Sequence, residues 1–208
     1  MGETCDYLTL SILYKYNSII YLNCNVSTAY KFSNLDGIYF MSSAVVEWVD
    51  VFTRRIYRDM LLDSLRYCQK EKGLIIFAWC IMSNHIHLII ASNGHNKLSG
   101  IIRDLKKFTS GQIIKAIQLE RGESRRSWML RIFEQAGKQN SNNVNYQFWR
   151  QDNHPIELQS NRFMDQKLDY LHLNPVQAGT VEMPEDYLYS SAKDYAGKKG
   201  LLDIEFIN

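Results

Sequence analysis

The order of elements legible in the sequence predicts an α+β fold, a ferredoxin-like (split βαβ) antiparallel sheet with helices on one face. Three observations predict it. Leu74–Met82 is a nearly continuous apolar run, which reads as a strand buried on both faces. A second strand, His85–Ala91, follows after only Ser83-Asn84, so the two form a tight antiparallel hairpin. Stretches with apolar residues at helical spacing stand on either side of that hairpin, at 53–72 and 98–117.

Taken in chain order, residues 1–27 show no clear period and form an N-terminal extension of unknown role. The folded domain is expected over 28–197, with 198–208 as a C-terminal tail. Asp36-Gly37 is a turn opening a strand over Ile38–Val46, rich in aromatic and β-branched residues. Thr53 is the expected N-cap of a helix through Lys72, with Ile56, Met60, Leu61, Leu65 and Cys68 as its core stripe and Gly73 as its stop. Leu98, Ile101, Ile102, Leu105 and Phe108 form the stripe of the next helix. A short helix is expected within 121–138, an Asn- and Ser-rich loop at 139–145, and short extended pieces at 146–149 and 156–158. Ser160 or Asn161 caps a helix running to Asn174, which Pro175 stops. A final short helix is expected in 187–195.

Composition narrows the function classes. A chain of 208 residues with 46% hydrophobic residues fits one globular domain. No apolar run reaches the roughly 18 to 20 residues of a membrane helix. The nearest, 8–22, is broken by Lys15 and Asn17, and the acidic Glu3 and Asp6 precede it where a secretory signal carries Lys or Arg. A cytoplasmic protein is therefore expected. Cys5, Cys24, Cys68 and Cys80 lack metal-ligand spacing and read as reduced thiols. Net charge is only +2, but 97–138 holds ten Lys and Arg against four Asp and Glu. That local excess is either a phosphate-facing surface or a solvated helix face.

Two small patterns carry chemistry. His85 and His87 stand two apart on a strand, so both imidazoles project from one face. They are a ready pair of metal ligands, or two hydrogen-bonded core histidines. Tyr170 and Asn174 stand four apart on a helix and share one face, with Met164, Leu168 and Leu171 as that helix's core stripe and Tyr170 at its margin. A half-buried structural tyrosine is the alternative there.

Together with their surroundings these motifs resemble the HUH-type single-tyrosine transposases, and most closely the REP-associated tyrosine transposases. The residues that carry the likeness are His85-Ile86-His87, with a hydrophobic residue between histidines, Leu105-Lys106-Lys107-Phe108-Thr109-Ser110, Tyr146-Gln147-Phe148-Trp149-Arg150-Gln151, and Tyr170-Leu171-His172-Leu173-Asn174-Pro175. The likeness spans about residues 30–197, and residues 1–27 have no counterpart in it. It implies an HUH endonuclease-type fold and a metal-dependent enzyme that cleaves and rejoins single-stranded or hairpin DNA through a 5′-phosphotyrosine link. Tyr170 would be the nucleophile. His85, His87 and Asn174 would hold Mg²⁺ or Mn²⁺. Arg103, Lys106, Lys107, Arg125 and Arg126 are the candidates for DNA phosphates, with Trp149 and Trp128 available either to stack bases or to pack the core. The partner would be the palindromic ends of a DNA element, with a homodimer possible for this kind of enzyme.

Two readings of other classes compete. One is a non-catalytic module that binds single-stranded nucleic acid on its sheet. The other is a zinc hydrolase, in which His95, His154 or His172 would complete the pair.

Overall fold

The computed structural model describes residues 32–140, 145–151 and 155–207. The N-terminal extension, Cys5, Cys24, the apolar stretch at 8–22, most of the 139–145 loop and His154 lie outside the described residues.

The sheet contains β1 (Tyr39–Ala44), β2 (Leu74–Ile81), β3 (His85–Ser92) and the two-residue β4 (Ile156–Glu157), in the order β2-β3-β1-β4 with each neighbouring pair antiparallel. β1 and β2 thus run parallel with β3 between them, which is the split βαβ arrangement. Every residue of β3 between its two ends is buried, as its apolar run requires. Helix α1 (Arg55–Lys72) connects β1 to β2, and α2 (Leu98–Leu119) with α3 (Arg126–Lys138) follows β3. Leu61 and Leu65 of α1, Ile101 and Leu105 of α2, and Ile76, Leu88 and Ile90 of the sheet belong to one apolar cluster. No helix among the described residues is long and apolar enough to cross a membrane.

Several boundaries differ from the sequence reading for identifiable reasons. Thr53 does not cap α1. It ends a 3-10 turn, Val51–Thr53, and its hydroxyl donates to Asp50 O, so Arg54 takes the N-cap position. The buried stripe of α1 is shifted by one residue at its start: Tyr57 is buried, and Ile56 is 44% exposed. In α2, Thr109 is buried and Phe108 is 58% exposed. The Thr109 hydroxyl is satisfied by donating to Leu105 O and accepting from Trp149 Nε1, which lets a polar residue occupy the core position. The 187–195 segment is helical only over α5 (Ala192–Tyr195), the fifth described helix after α4 (Asn161–Gln177). The residues before it form turns and a single bridge, Ser190 to Cys80, against the free edge of β2, where Ile81 N donates to Tyr189 O and Ser191 N donates to Trp79 O. Glu205 N donates to Ile76 O on the same edge. Pairing there removes the open row of amides that an edge strand would present.

Helix α4 is the element that matters for the site. Ser160 caps it, as expected, by accepting from Phe163 N. It does not stop at Pro175 but runs one further turn to Gln177, where Ala178 N donates to Asn174 O. Pro175 costs the helix one amide donor. Its ring is buried, however, and the extra turn keeps Asn174 inside the helix. His172, also buried, fixes α4 from the other side. Its Nε2 lies 2.9 Å from Ser191 Oγ, and that hydroxyl accepts from Trp79 N of β2.

Two tests follow from these supports. Gly73 closes α1 at φ +74°, and a Cβ there would lie 1.9 Å from Asn93 Oδ1. Gly73→Ala is expected to lower unfolding free energy by about 1–2 kcal/mol in urea titrations. Burial pushes the His172 imidazole down to about 4 from its ordinary 6.5. Between those values the unfolded chain binds a proton that the folded chain does not. The contribution to stability is complete above pH 6.5 and is lost as pH falls towards 4. The urea midpoint of His172→Gln should therefore fall less steeply across that window than the wild-type midpoint does.

Candidate functional site

The site is assembled from β3, its neighbour β1, the turn before β3, and α4. His85 and His87 project from the same face of β3, with ring centroids 4.7 Å apart. His87 pairs with Ser42 in the β1–β3 register, and its Nδ1 lies 2.5 Å from Ser42 Oγ. His85 Nδ1 lies 2.7 Å from Asn84 Oδ1. Each imidazole thus has one nitrogen fixed by a neighbour, which orients the ring and leaves Nε2 as the remaining nitrogen, able to ligate through its lone pair. His87 Nε2 is buried and makes no hydrogen bond.

Both histidines are held neutral at pH 7. Burial pushes His85 down to about 4, against a weaker opposing pull from Asp50. His87 is depressed well below its ordinary value by burial first, then by the neighbouring charges of His85 and Lys167. A neutral imidazole is the form that ligates a cation, so protons do not compete at physiological pH.

Helix α4 carries Tyr170 over this pair. The phenol ring lies 5.3 Å from the His87 ring and 5.9 Å from Phe40, which itself stacks on His87 at 5.6 Å. Tyr170 is 43% exposed, so part of the side chain faces solvent beside the pair. Asn174, one turn on, donates from Nδ2 to Tyr170 O at 2.9 Å. Its amide is close enough to His87 to favour that ring's charged form, though no well-formed hydrogen bond reaches Nε2. The Asn174 side chain thus neighbours His87 of the imidazole pair, where one buried nitrogen is left over. The set fits a hard divalent cation that keeps open coordination positions for phosphate oxygens and water. Among the described residues no group of three His, Cys, Asp or Glu side chains is arranged to hold a metal ion.

The sequence-selected cations are distributed differently. Arg103 and Lys107 are exposed on α2, the former beside Asp104 at 3.0 Å. Lys106 is half-buried and donates to Arg150 O at 2.6 Å. Arg125 is committed to the buried Glu123 at 3.0 Å, and also donates to Asp50 O and Thr53 Oγ1. Arg126 donates to Glu120 O. Arg54 at 3.1 Å and Tyr57 at 3.1 Å complete the surroundings of Glu123. Burial alone would raise that carboxyl, but the hydrogen bonds and charge of Arg125 hold it below the usual carboxylate range. Arg125 and Arg126 therefore brace the loop before α3. Trp149 is buried, with its indole N–H on Thr109, and Trp128 is part-exposed on α3. His172 faces away from the site, on Ser191.

Besides Asn84, which the sequence marks only as part of the turn before β3, four contributors were not selected from the sequence. Ser42 and Phe40 become visible only through the β1–β3 register. Lys167 stands three residues before Tyr170 on the same helix face, a spacing that could have marked it. Its ammonium lies 5.0 Å from the Phe40 ring centroid and 5.6 Å from that of Tyr170. Trp48 meets His85 edge-on at 5.8 Å, from a turn that sequence periodicity does not reveal.

The model of the IS200-like transposase family matches residues 46–148. That segment contains the histidine pair and ends before Tyr170, so the tyrosine is joined to the pair by the geometry of α4. No curated protein matches the chain in sequence. Among solved structures, a REP-associated tyrosine transposase bound to a REP hairpin is similar, with a TM-score of 0.58. Identity is 17%, over 89% of this chain and 94% of that one, so the likeness is one of fold. The resemblance read from the sequence is borne out over residues 46–148, which match the model of the IS200-like transposase family.

Proposed function

We propose that this protein cleaves and rejoins single-stranded or hairpin DNA, with Tyr170 as nucleophile and His85, His87 and Asn174 as ligands of Mg²⁺ or Mn²⁺. The observation that carries the reading is the Tyr170 ring lying 5.3 Å from a neutral, buried imidazole whose Nε2 has no hydrogen-bond partner. The match of residues 46–148 to a transposase family model supports a DNA substrate. The hairpin bound by the structurally similar REP-associated enzyme supports an unpaired or folded-back strand in particular.

The chemistry follows from where the side chains sit. When bound, the divalent cation would supply Lewis-acid polarisation of the scissile phosphate. The Tyr170 hydroxyl attacks phosphorus, forming a tyrosyl P–O bond as the bond to the 3′ oxygen breaks. The phenol loses its proton, and the 3′ oxygen leaves as a hydroxyl after taking one up. The 5′-phosphotyrosine link conserves the phosphodiester, so a 3′-hydroxyl can reverse the step on another end without a nucleotide cofactor. Ser42 and Asn84 hold the imidazoles in place. Lys167 puts a positive charge beside the tyrosine ring, where negative charge develops in the attack. Arg103, Lys106 and Lys107 remain the candidates for flanking phosphates, whereas Arg125 and Arg126 act by fixing the loop before α3.

A labelled hairpin with a single-stranded tail, incubated with the protein and Mn²⁺ and run on a denaturing gel, is expected to give a shifted adduct. Tyr170→Phe should abolish the adduct, and His87→Ala should reduce it at least 100-fold. Persistence of the adduct in Tyr170→Phe would remove the nucleophile assignment. Tight hairpin binding without an adduct in any divalent metal would favour the binding-module reading instead.

A further inference from the structure

Between β1 and α1 the chain passes through two consecutive non-glycine residues in the left-handed region, Glu47 at φ +51° and Trp48 at φ +53°. A bulky aromatic residue rarely adopts that conformation. Burial does not explain it, because Trp48 is 53% exposed, whereas its neighbours Val46 and Val49 are buried. The turn is nevertheless firmly held. Val46 N donates to Phe148 O at 2.9 Å, Trp48 N donates to Val45 O at 3.1 Å, and Asn84 Nδ2 donates to Trp48 O at 3.2 Å. Asn84 is also the partner of His85, so one side chain ties the tryptophan to the first histidine of the site. Backbone strain persists where surrounding structure over-determines it, and it collects at functional positions.

The surroundings of the indole suit one ligand class. The indole and His85 rings are near-perpendicular at 5.8 Å between centroids, and the Arg150 guanidinium lies 5.6 Å from the indole ring centroid. It borders an open cleft of about 580 Å³ whose lining includes Asn140, Gln147, Arg150 and Gln151. Glu47 also lines this cleft, and its carboxylate disfavours a phosphate beside the indole. An aromatic face next to a guanidinium and amide side chains suits an uncharged, planar group on a chain whose phosphates lie elsewhere.

We infer that Trp48, with Arg150, is a stacking platform for the unpaired nucleobase flanking the scissile phosphate. The inference rests on the nuclease reading of the neighbouring site, and it supplies the means by which a single strand is told from a duplex. A paired base has both faces occupied by its neighbours in the stack, whereas an unpaired one can lay a face on the indole. Because every base has such a face, the platform is indifferent to sequence.

The test uses the full chain carrying Tyr170→Phe, so that binding is read without chemistry. Hairpins with single-stranded tails carry 2-aminopurine at successive tail positions, and a blunt hairpin without a tail serves as reference. One tail position should be quenched on binding. Trp48→Ala should abolish that quench and weaken tailed-hairpin binding about 10- to 100-fold, as expected for loss of one base–aromatic stack, while blunt-hairpin affinity is unchanged. Trp48→Gly relieves the left-handed strain, so it should preserve or raise the melting temperature while losing the same quench. Trp48→Phe should retain part of it. Unchanged quench and affinity in Trp48→Gly would overturn the inference, as would equal weakening of tailed and blunt hairpins, or a wild type that binds no tailed hairpin. A wild type that shows the Trp48-dependent quench yet forms no adduct would overturn the nuclease reading and leave Trp48 a base-stacking platform with no scissile phosphate beside it.

Discussion

Two imidazoles on one face of an interior strand must be kept uncharged, oriented and each with one nitrogen uncommitted; the arrangement of the site depends on this. Burial supplies the first condition, since desolvation disfavours the charged ring. Ser42 and Asn84 supply the second, one across the β1–β3 ladder and one from the turn that opens β3. The third follows from the first two, and at His87 it leaves a buried nitrogen without a protein partner. Leaving a buried polar atom unpaired costs roughly 1–3 kcal/mol, a cost that a ligand can offset when it binds.

The remaining elements hold groups against that pair. Helix α4 must deliver Tyr170 and Asn174 together, and it is fixed from within and from outside. Asn174 donates to Tyr170 O, Pro175 is buried, and His172 is joined through the Ser191 hydroxyl to the backbone of Trp79. On the opposite side of His85 the Glu47-Trp48 turn is pinned by Phe148 and Asn84. The buried Glu123 has a separate task. It gathers Arg54, Arg125 and Tyr57 and so ties the loop before α3 to the start of α1. Removing one partner of such a cluster leaves an uncompensated buried charge, so these arginines stay committed to structure.

Much of this was legible in the sequence because it rests on local period and on punctuation. The β2–β3 hairpin shows as two apolar runs separated by two polar residues, α1 ends at a glycine whose φ is +74°, and α4 begins at a serine cap. The histidine pair and the Tyr170–Asn174 pair are legible for the same reason, as i,i+2 and i,i+4 spacings. What was not legible depends on non-local partners. Thr109 is a core residue only because Trp149 reaches its hydroxyl, and Phe108 is displaced to the surface in consequence. Pro175 lies inside a helix because burial of its ring outweighs one lost amide bond. A count of positive charges cannot show that Arg125 faces a buried carboxylate. Trp48 owes its place to a left-handed turn with no signal in residue type.

The central claim is that the histidine strand and the tyrosine helix form one reaction centre, and the position of the covalent bond tests it most directly. The protein has 13 tyrosines, so the identity of the attached one is informative. The wild-type adduct would be trimmed with nuclease, digested with protease and sequenced by mass spectrometry. A nucleotide on the Tyr170 peptide, absent when divalent metal is chelated, is the predicted result. A nucleotide on any other residue would contradict the account.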